Sequence, residues 1–365
     1  MVGSPEFQAV VECCRRNLQK SHPMPLPAQI DWAKFCKLVR FHRIEGLVHN
    51  ALRGERCVPR QLAVGLQEAA NSIAALNLRT AAACGSLSEG FNSAGIPVLF
   101  VKGLTLGTLA YATPTIKSAV DVDILIDPAD LSQSAVILEA AGFRLIAPSR
   151  LLHRWHRTWK ESIWRQNDGL QLDLHTRLVD NRLWLPSVDV HAAKQSVRVV
   201  GDIVLPTLAN EPLFAYLSVH GASSSWFRLK WISDFAAFLS TQSPGSVARC
   251  YEASKKVGAG RAAGQALLLA DALFQSLDAS PELQRQLRAE PALSRSFRRA
   301  LKLIMQGPPE PTERLLGTWP LHVNQLLLQP GVHLKLTHLT QQAAQILTRL
   351  RINYGIGRAG AAQLP

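Results

Sequence analysis

The stretch Ser118-Ala119-Val120-Asp121-Val122-Asp123-Ile124-Leu125-Ile126 sets two carboxylates two residues apart inside an apolar, β-type run. Alternate residues of a strand project from one face, so Asp121 and Asp123 point the same way. Burying both acids beside Val and Ile costs several kcal/mol, roughly, unless a cation neutralises them. A divalent metal carrying the phosphates of a nucleotide meets that need.

Upstream, Val98-Leu99-Phe100-Val101 is short, fully apolar and β-rich, as a buried strand is. Lys102-Gly103 follows it, and a helical stretch runs from Leu104 to about Tyr111. A glycine at a strand-to-helix junction lets backbone N–H groups approach a phosphate, with the positive end of the next helix turned toward the anion. Downstream, Asp127-Pro128 caps a helix predicted over Leu131 to Ala141 and stopped by Gly142, and Phe143 to Ile146 reads as a further strand. Trp159 to Gln166 and Leu170 to Leu174 flank Asn167-Asp168-Gly169, a hairpin turn. Asp173 therefore sits on an alternating apolar strand. Should that strand lie beside the one bearing Asp121 and Asp123, three carboxylates converge, as two magnesium ions about 3.5–4 Å apart require for in-line nucleotidyl transfer. His175 shares the face of Asp173, and Arg177 is two residues further; both are expected to meet phosphate or substrate.

The chain of 365 residues is long enough for two or three units with their own cores. Helical periodicity governs residues of about 8–92, with Trp32, Phe35, Leu38, Val39, Ile44, Leu47 and Val48 at spacings of three and four, and it returns from Asn210 onward. The fold class expected is α+β: a helical unit over 8–94, a mixed sheet core over 95–206, a helical unit over 207–354 and a disordered tail over 355–365. Met1-Val2-Gly3-Ser4-Pro5-Glu6-Phe7 reads as a cloning remnant outside the fold. No apolar run is long enough to span a bilayer and no cleavable leader is evident, so a cytoplasmic protein with no membrane partner is expected. The six cysteines fall at no zinc spacing and read as free thiols. A net charge of +13 favours an anionic partner: a nucleotide, a nucleic acid or an acidic surface.

Other residues carry weaker signals. Trp226, Trp231 and Phe235 at helical spacing read as core rather than as a base-stacking platform. His220 and Lys230 are candidates for a cleft facing a triphosphate, with Asp234 as a structural partner for Lys230. The stretch Ser149 to Arg165 interleaves Arg150, His153, Arg154, His156, Arg157, Lys160 and Arg165 with Trp155, Trp159 and Trp164. A single-stranded nucleic acid uses such a pattern, as does a basic loop over a strand pair. His153 and His156 lack a third metal ligand at a sensible spacing. Arg285, Arg288, Arg295, Arg298 and Arg299 read as solvated helix faces.

The order of glycine junction, helix, paired acids and a distant third acid resembles the DNA polymerase beta-like nucleotidyltransferase superfamily. Within it, the chain is most similar to a bacterial family of uncharacterised nucleotidyltransferases with an all-helical surround. The residues that carry this resemblance are Val101-Lys102-Gly103, Asp121-Val122-Asp123-Ile124-Leu125-Ile126, Asp173-Leu174-His175, and His220 with Arg228-Leu229-Lys230-Trp231-Ile232-Ser233-Asp234. The Trp32 to Leu52 segment, with His42 and Leu47, adds to it, so it covers roughly residues 30–240. Two departures stand out. Gly103-Leu104 occupies the place of the superfamily's Gly-Ser or Gly-Gly, and Lys117 stands in the neighbourhood where the helical family has arginine, giving a point charge without the guanidinium fork.

The resemblance implies a minimal nucleotidyltransferase core and transfer of a nucleoside monophosphate from an NTP, ATP being the expected one, to an acceptor with release of pyrophosphate. Asp121 and Asp123 are expected to hold two magnesium ions, with manganese as the alternative. Asp173 completes one metal site and helps to deprotonate the acceptor. Lys102, Gly103, Lys117, Ser118, His175, Arg177, His220 and Lys230 form the expected nucleotide-binding set. The acceptor is a hydroxyl or phosphate on a small molecule or modified peptide. The alternatives are an RNA- or tRNA-directed, toxin-like transferase, favoured by the charge and the basic stretch, and a non-catalytic nucleotide-binding regulator. The presence of all three acids argues against the regulator.

Overall fold

The computed structural model describes residues 3–19, 21–117, 121–146, 152–313 and 318–329, together with 331, 335–337 and 339–340. The expectations for Ser118, for Ser149 to Leu151 of the basic stretch and for the 355–365 tail fall outside the described residues.

The apolar run after Gly95 forms β1 (Val98–Phe100), the paired-acid stretch forms β2 (Asp121–Ile126), and α5 (Leu104–Tyr111) lies between them. α6 (Leu131–Ala140) follows a short 3-10 turn in which Asp127 Oδ1 accepts the N–H of Ala129 at 2.8 Å. β3 (Arg144–Leu145), α7 (Leu152–Thr158), β4 (Glu161–Arg165) and β5 (Gln171–His175) complete the central block. The five strands form one mixed sheet in the order β1-β2-β5-β4-β3. β4 and β5 pair antiparallel across the Asn167-Asp168-Gly169 turn, where Gly169 takes φ +90°. β2 and β5 run parallel, with Asp123 directly opposite Asp173.

Because side chains alternate, the sheet has two unlike faces. Val98, Phe100, Val122, Ile124, Ile126, Trp164, Leu172 and Leu174 form a buried apolar face against Cys84, Leu87 and Phe91 of α4 (Arg60–Ser93) and Leu131 and Leu138 of α6. The other face carries Asp121, Asp123, Asp173, His175 and Glu161. It looks toward α8 (Asn210–Ser223) and α9 (Leu229–Ser240), whose His220, Lys230 and Trp231 share a cleft with Asp121 and Asp123.

α1 (Pro5–Arg15), α2 (Trp32–His42) and α3 (Glu45–Leu52) precede the sheet, and α10 (Pro244–Lys256), α11 (Gly260–Phe274), α12 (Pro281–Arg288), α13 (Pro291–Met305) and α14 (Trp319–Leu328) follow it. One buried cluster joins the two sets: Val10, Val39 and Val48 of the first pack with Leu267 and Leu287 of the second and with Phe214 of α8 and Phe235 of α9.

Three expectations are corrected. Ser4 to Phe7 belongs to the fold: Ser4 caps α1 through the Phe7 N–H, and the Phe7 ring is 2% exposed. The continuous helical reading of 8–92 breaks at the Pro23-Met24-Pro25-Leu26-Pro27 segment and at Arg43, which turns left-handed at φ +54° and separates α2 from α3. The hairpin of β6 (Lys194–Val200) and β7 (Ile203–Leu208), turning at Gly201-Asp202, has no counterpart in the sequence reading. Its alternation is interrupted by a bulge between Arg198 and Val200 and by Pro206.

Backbone packing at one glycine fixes a wall of the cleft. A Cβ at Gly46 would fall 2.0 Å from the carbonyl oxygen of Ile116, so α3 presses directly on the backbone that leads into Lys117. Gly46→Ala is expected to lower stability by about 1–3 kcal/mol. A thermal or urea midpoint equal to that of the parent protein would contradict this packing.

Candidate active site

Gly103 ends the short link after β1 at φ +67°, ψ −119°, a backbone geometry that side chains disfavour. Thr105 Oγ1 donates to Phe100 O at 2.9 Å and ties the first turn of α5 back to the strand. Lys102 is thereby aimed across β2, where its Nζ lies 2.9 Å from Asp123 Oδ1.

Asp123 is 3% exposed. Burial opposes its ionisation, but the Lys102 ammonium and the hydrogen bond from His175 Nε2 at 3.0 Å overcome that, holding the carboxyl well below the usual carboxylate range. Both partners use Oδ1; Oδ2 is buried without a hydrogen-bond partner among the described residues. Across the parallel register, Asp173 lies 8% exposed and accepts from Gln171 Nε2 at 3.1 Å. Burial, with the charges of Asp123, Asp121 and Glu161, pushes its carboxyl up to about 7. Donor atoms of Asp123, Asp173 and His175 all lie within 4.8 Å of one another. An orphaned carboxylate oxygen beside a second carboxylate is a donor set that suits a hard divalent cation. Asp121 is half-buried at the mouth of the same face and lines the adjoining cleft.

Glu161 is the functional candidate that sequence reasoning missed. It stands on β4 opposite His175, its Oε2 lies 3.3 Å from His175 Nε2, and it also pairs with Lys160. Counting outward from the Asn167-Asp168-Gly169 turn pairs residue 161 with residue 175, so the hairpin register held the signal.

The cleft opens to solvent and is lined by Lys102, Gly103, Lys117, Asp121, Asp123, His220, Lys230, Trp231 and Asp234. A smaller hollow continues past Lys102 and Asp121 toward Thr80 and Cys84 of α4. Burial and the nearby Lys102 push the His220 imidazole well below its ordinary value, and its ring meets Tyr216 and Trp231 at centroid distances of 5.7 and 6.1 Å. Asp234 pairs with Lys117 at 2.8 Å and accepts from Tyr111 Oη at 3.0 Å, so the expected Lys230 partner is taken. Burial and neighbouring Lys117 pull Lys230 down to about 8.

Some expected residues lie elsewhere. Arg177 falls past the end of β5 and donates to the carbonyls of His156 at 2.8 Å and Thr158 at 3.4 Å, so it braces α7 rather than lining the cleft. His153 and His156 diverge: the first bonds Ser132, the second is buried between Thr176 and Ser162. Trp164 is wholly buried and Trp155 Nε1 donates to Glu161 O, so two of the aromatics in the basic stretch serve the protein's own packing. Trp226 and Phe235 are core, whereas Trp231 is half-buried against the cleft.

A sequence model described as an uncharacterised nucleotidyltransferase matches residues 28–275, a span that includes the whole five-stranded sheet and the cleft. No curated protein matches the chain.

The Asp173 shift carries a stability signature. An acid whose folded-state value lies above its unfolded one keeps its proton in the folded state after the unfolded chain has released it. Its contribution to stability therefore falls as pH rises from about 4 to about 7. Asp173→Asn is expected to unfold at a higher urea midpoint than the parent at pH 8, with the gap closing toward pH 4. A gap of constant size across that range would refute the assignment.

Proposed function

The chain belongs to this family of uncharacterised nucleotidyltransferases, and on that premise we propose that it transfers a nucleoside monophosphate from an NTP, ATP foremost, to an acceptor, releasing pyrophosphate. The observation that carries the reading is the parallel register of β2 and β5, which sets Asp123 beside Asp173 on the face that opens into a lysine-lined cleft.

Asp121, Asp123 and Asp173 would hold magnesium, manganese being the alternative; the bound metal supplies charge stabilisation to the phosphates and acidifies the acceptor hydroxyl. Lys102 and the backbone at Gly103 orient the phosphates next to the acids, and Lys117 and Lys230 extend the cationic wall. His175, held between Asp123 and Glu161, fixes the Asp123 carboxylate so that Oδ2 stays turned from the protein's own donors. The acceptor oxygen attacks the α-phosphorus, the bond to the β-phosphate oxygen breaks, and pyrophosphate departs. Asp173, the carboxylate beside Asp123, would take the acceptor proton. The half-buried Trp231 edge and the His220 ring border the space that the nucleoside would enter. Among the described residues no helix is long and apolar enough to cross a membrane.

The test uses ATP labelled on the α- or the γ-phosphate, incubated with the protein, magnesium and fractionated cell extract. Label from the α-position should appear on an acceptor with release of pyrophosphate. Asp121→Asn and Asp123→Asn should each lower that transfer on the order of a thousandfold or more with thermal midpoints retained. Transfer of the γ-label instead, or undiminished turnover in both variants, would overturn the proposal.

A further inference from the structure

Beyond Lys117 and Lys230, the wall of the cleft continues into a second, shallow hollow open to solvent. It is lined by Arg43, Ile44, Leu47, Ile116, Lys117, Lys230 and Asp234, and it meets the main cleft at Lys117, Lys230 and Asp234. Three segments distant in sequence build it, and buried polar bonds fix each one. The α2 end is held to the α9 start by the Leu229 N–H, which donates to His42 Nδ1 at 3.0 Å; burial keeps that imidazole neutral, its value pulled down to about 3. The next residues along the two elements are Arg43 and Lys230. The third segment is anchored by Asn77 Nδ2, which donates to the carbonyls of Pro114 at 2.7 Å and Lys117 at 2.8 Å.

The charges at this place do not cancel. Asp234 is engaged by Lys117 and Tyr111, while Arg43 and Lys230 have no ion-pair partner among the described residues. Glu45 is the other nearby acid, and burial raises its carboxyl against the pull of Arg40, Arg43 and Lys230. Arg43 occupies φ +54°, ψ +54°, a helix-ending geometry that glycine adopts more easily. A long cation is thus kept where the backbone favours no side chain.

We propose that the hollow between Arg43 and Lys230 is a phosphoryl-binding subsite, separate from the Lys102–Gly103 end of the cleft. Arg43 and Lys230 line this hollow from two elements, and a guanidinium with an ammonium suits the oxygens of one phosphate group. Such a group comes from one of two sources: the terminal phosphate of the triphosphate, or a phosphate on the acceptor. Assigning the source rests on the nucleotidyl-transfer reading; the subsite itself does not.

Inorganic phosphate, titrated calorimetrically into the full chain, is the probe. The parent protein should bind it, and Arg43→Gly should weaken binding roughly tenfold. Glycine suits φ +54°, so the thermal midpoint of this variant should hold or rise and separates lost binding from lost folding. The titration is then repeated with magnesium and a non-hydrolysable ATP analogue at saturation. Phosphate still binding assigns the subsite to the acceptor, and phosphate excluded assigns it to the triphosphate tail. Arg43-dependent phosphate binding in a protein that takes no nucleotide would sink the functional reading and leave the subsite standing. Phosphate binding that is absent, or equal in the parent and Arg43→Gly, overturns the subsite.

Discussion

The structure turns on the placement of Asp123 opposite Asp173 in a parallel strand pair. Two buried carboxylates on neighbouring strands cannot both be charged at low cost, because their repulsion acts in a medium that screens it poorly. The protein divides the burden unequally. Lys102 and His175 both bond Asp123 Oδ1 and keep that acid ionised, whereas among the described residues Asp173 has only the neutral Gln171 amide, and burial beside the other acids raises its carboxyl to about 7. Paired titratable groups driven apart in this way take different chemical roles: one remains a fixed anion, the other exchanges a proton near neutrality.

That arrangement depends on the mixed character of the sheet. β5 reaches the side of β2 as the inner strand of the β4–β5 hairpin, so a parallel neighbour arrives together with an antiparallel one. β4 then contributes Glu161 to the acid face and Trp164 to the opposite one. The apolar face, packed on α4 and α6, supplies burial that holds the strands in register. A slip of one residue would turn Asp123 into the Phe91 and Leu87 layer and Ile124 into the cleft. The register is therefore enforced by the hydrophobic side of the sheet and used by the polar side.

Much of this was legible because local chemistry agreed with the tertiary outcome. The acids within an apolar alternation, the glycine after a buried strand and the Asn-Asp-Gly turn each have a local physical cause, and each marks the element in which it sits. The reading weakened where periodicity was carried beyond an element's end: Arg177 lies two residues past β5, where alternation no longer fixes direction, and it turned to the carbonyls of α7. Pairings between distant segments left no local trace. Nothing near Asp234 in sequence indicates that Lys117 and Tyr111 would claim it, and Lys230, the closer candidate, has no ion-pair partner among the described residues. Phe7 was misjudged because the residues before it resemble a remnant, although an aromatic three residues after a capping serine also fits the opening of a helix.

The helical elements around the sheet do more than cover it. His42 joins α2 to α9, Asn77 of α4 grips the backbone at Pro114 and Lys117, and Tyr111 of α5 meets Asp234 of α9. A buried polar group deprived of its partner costs more than a bond formed in water contributes, so such pairs select one arrangement of the helices over others of similar apolar burial. Each of these pairs ends on, or next to, a residue lining the cleft, whereas Asp123 is held by Lys102 and His175 from the sheet side. The acid centre and the far wall thus rest on separate supports. Changes in the α2–α3 corner can reshape what the cleft admits while the carboxylates keep their register.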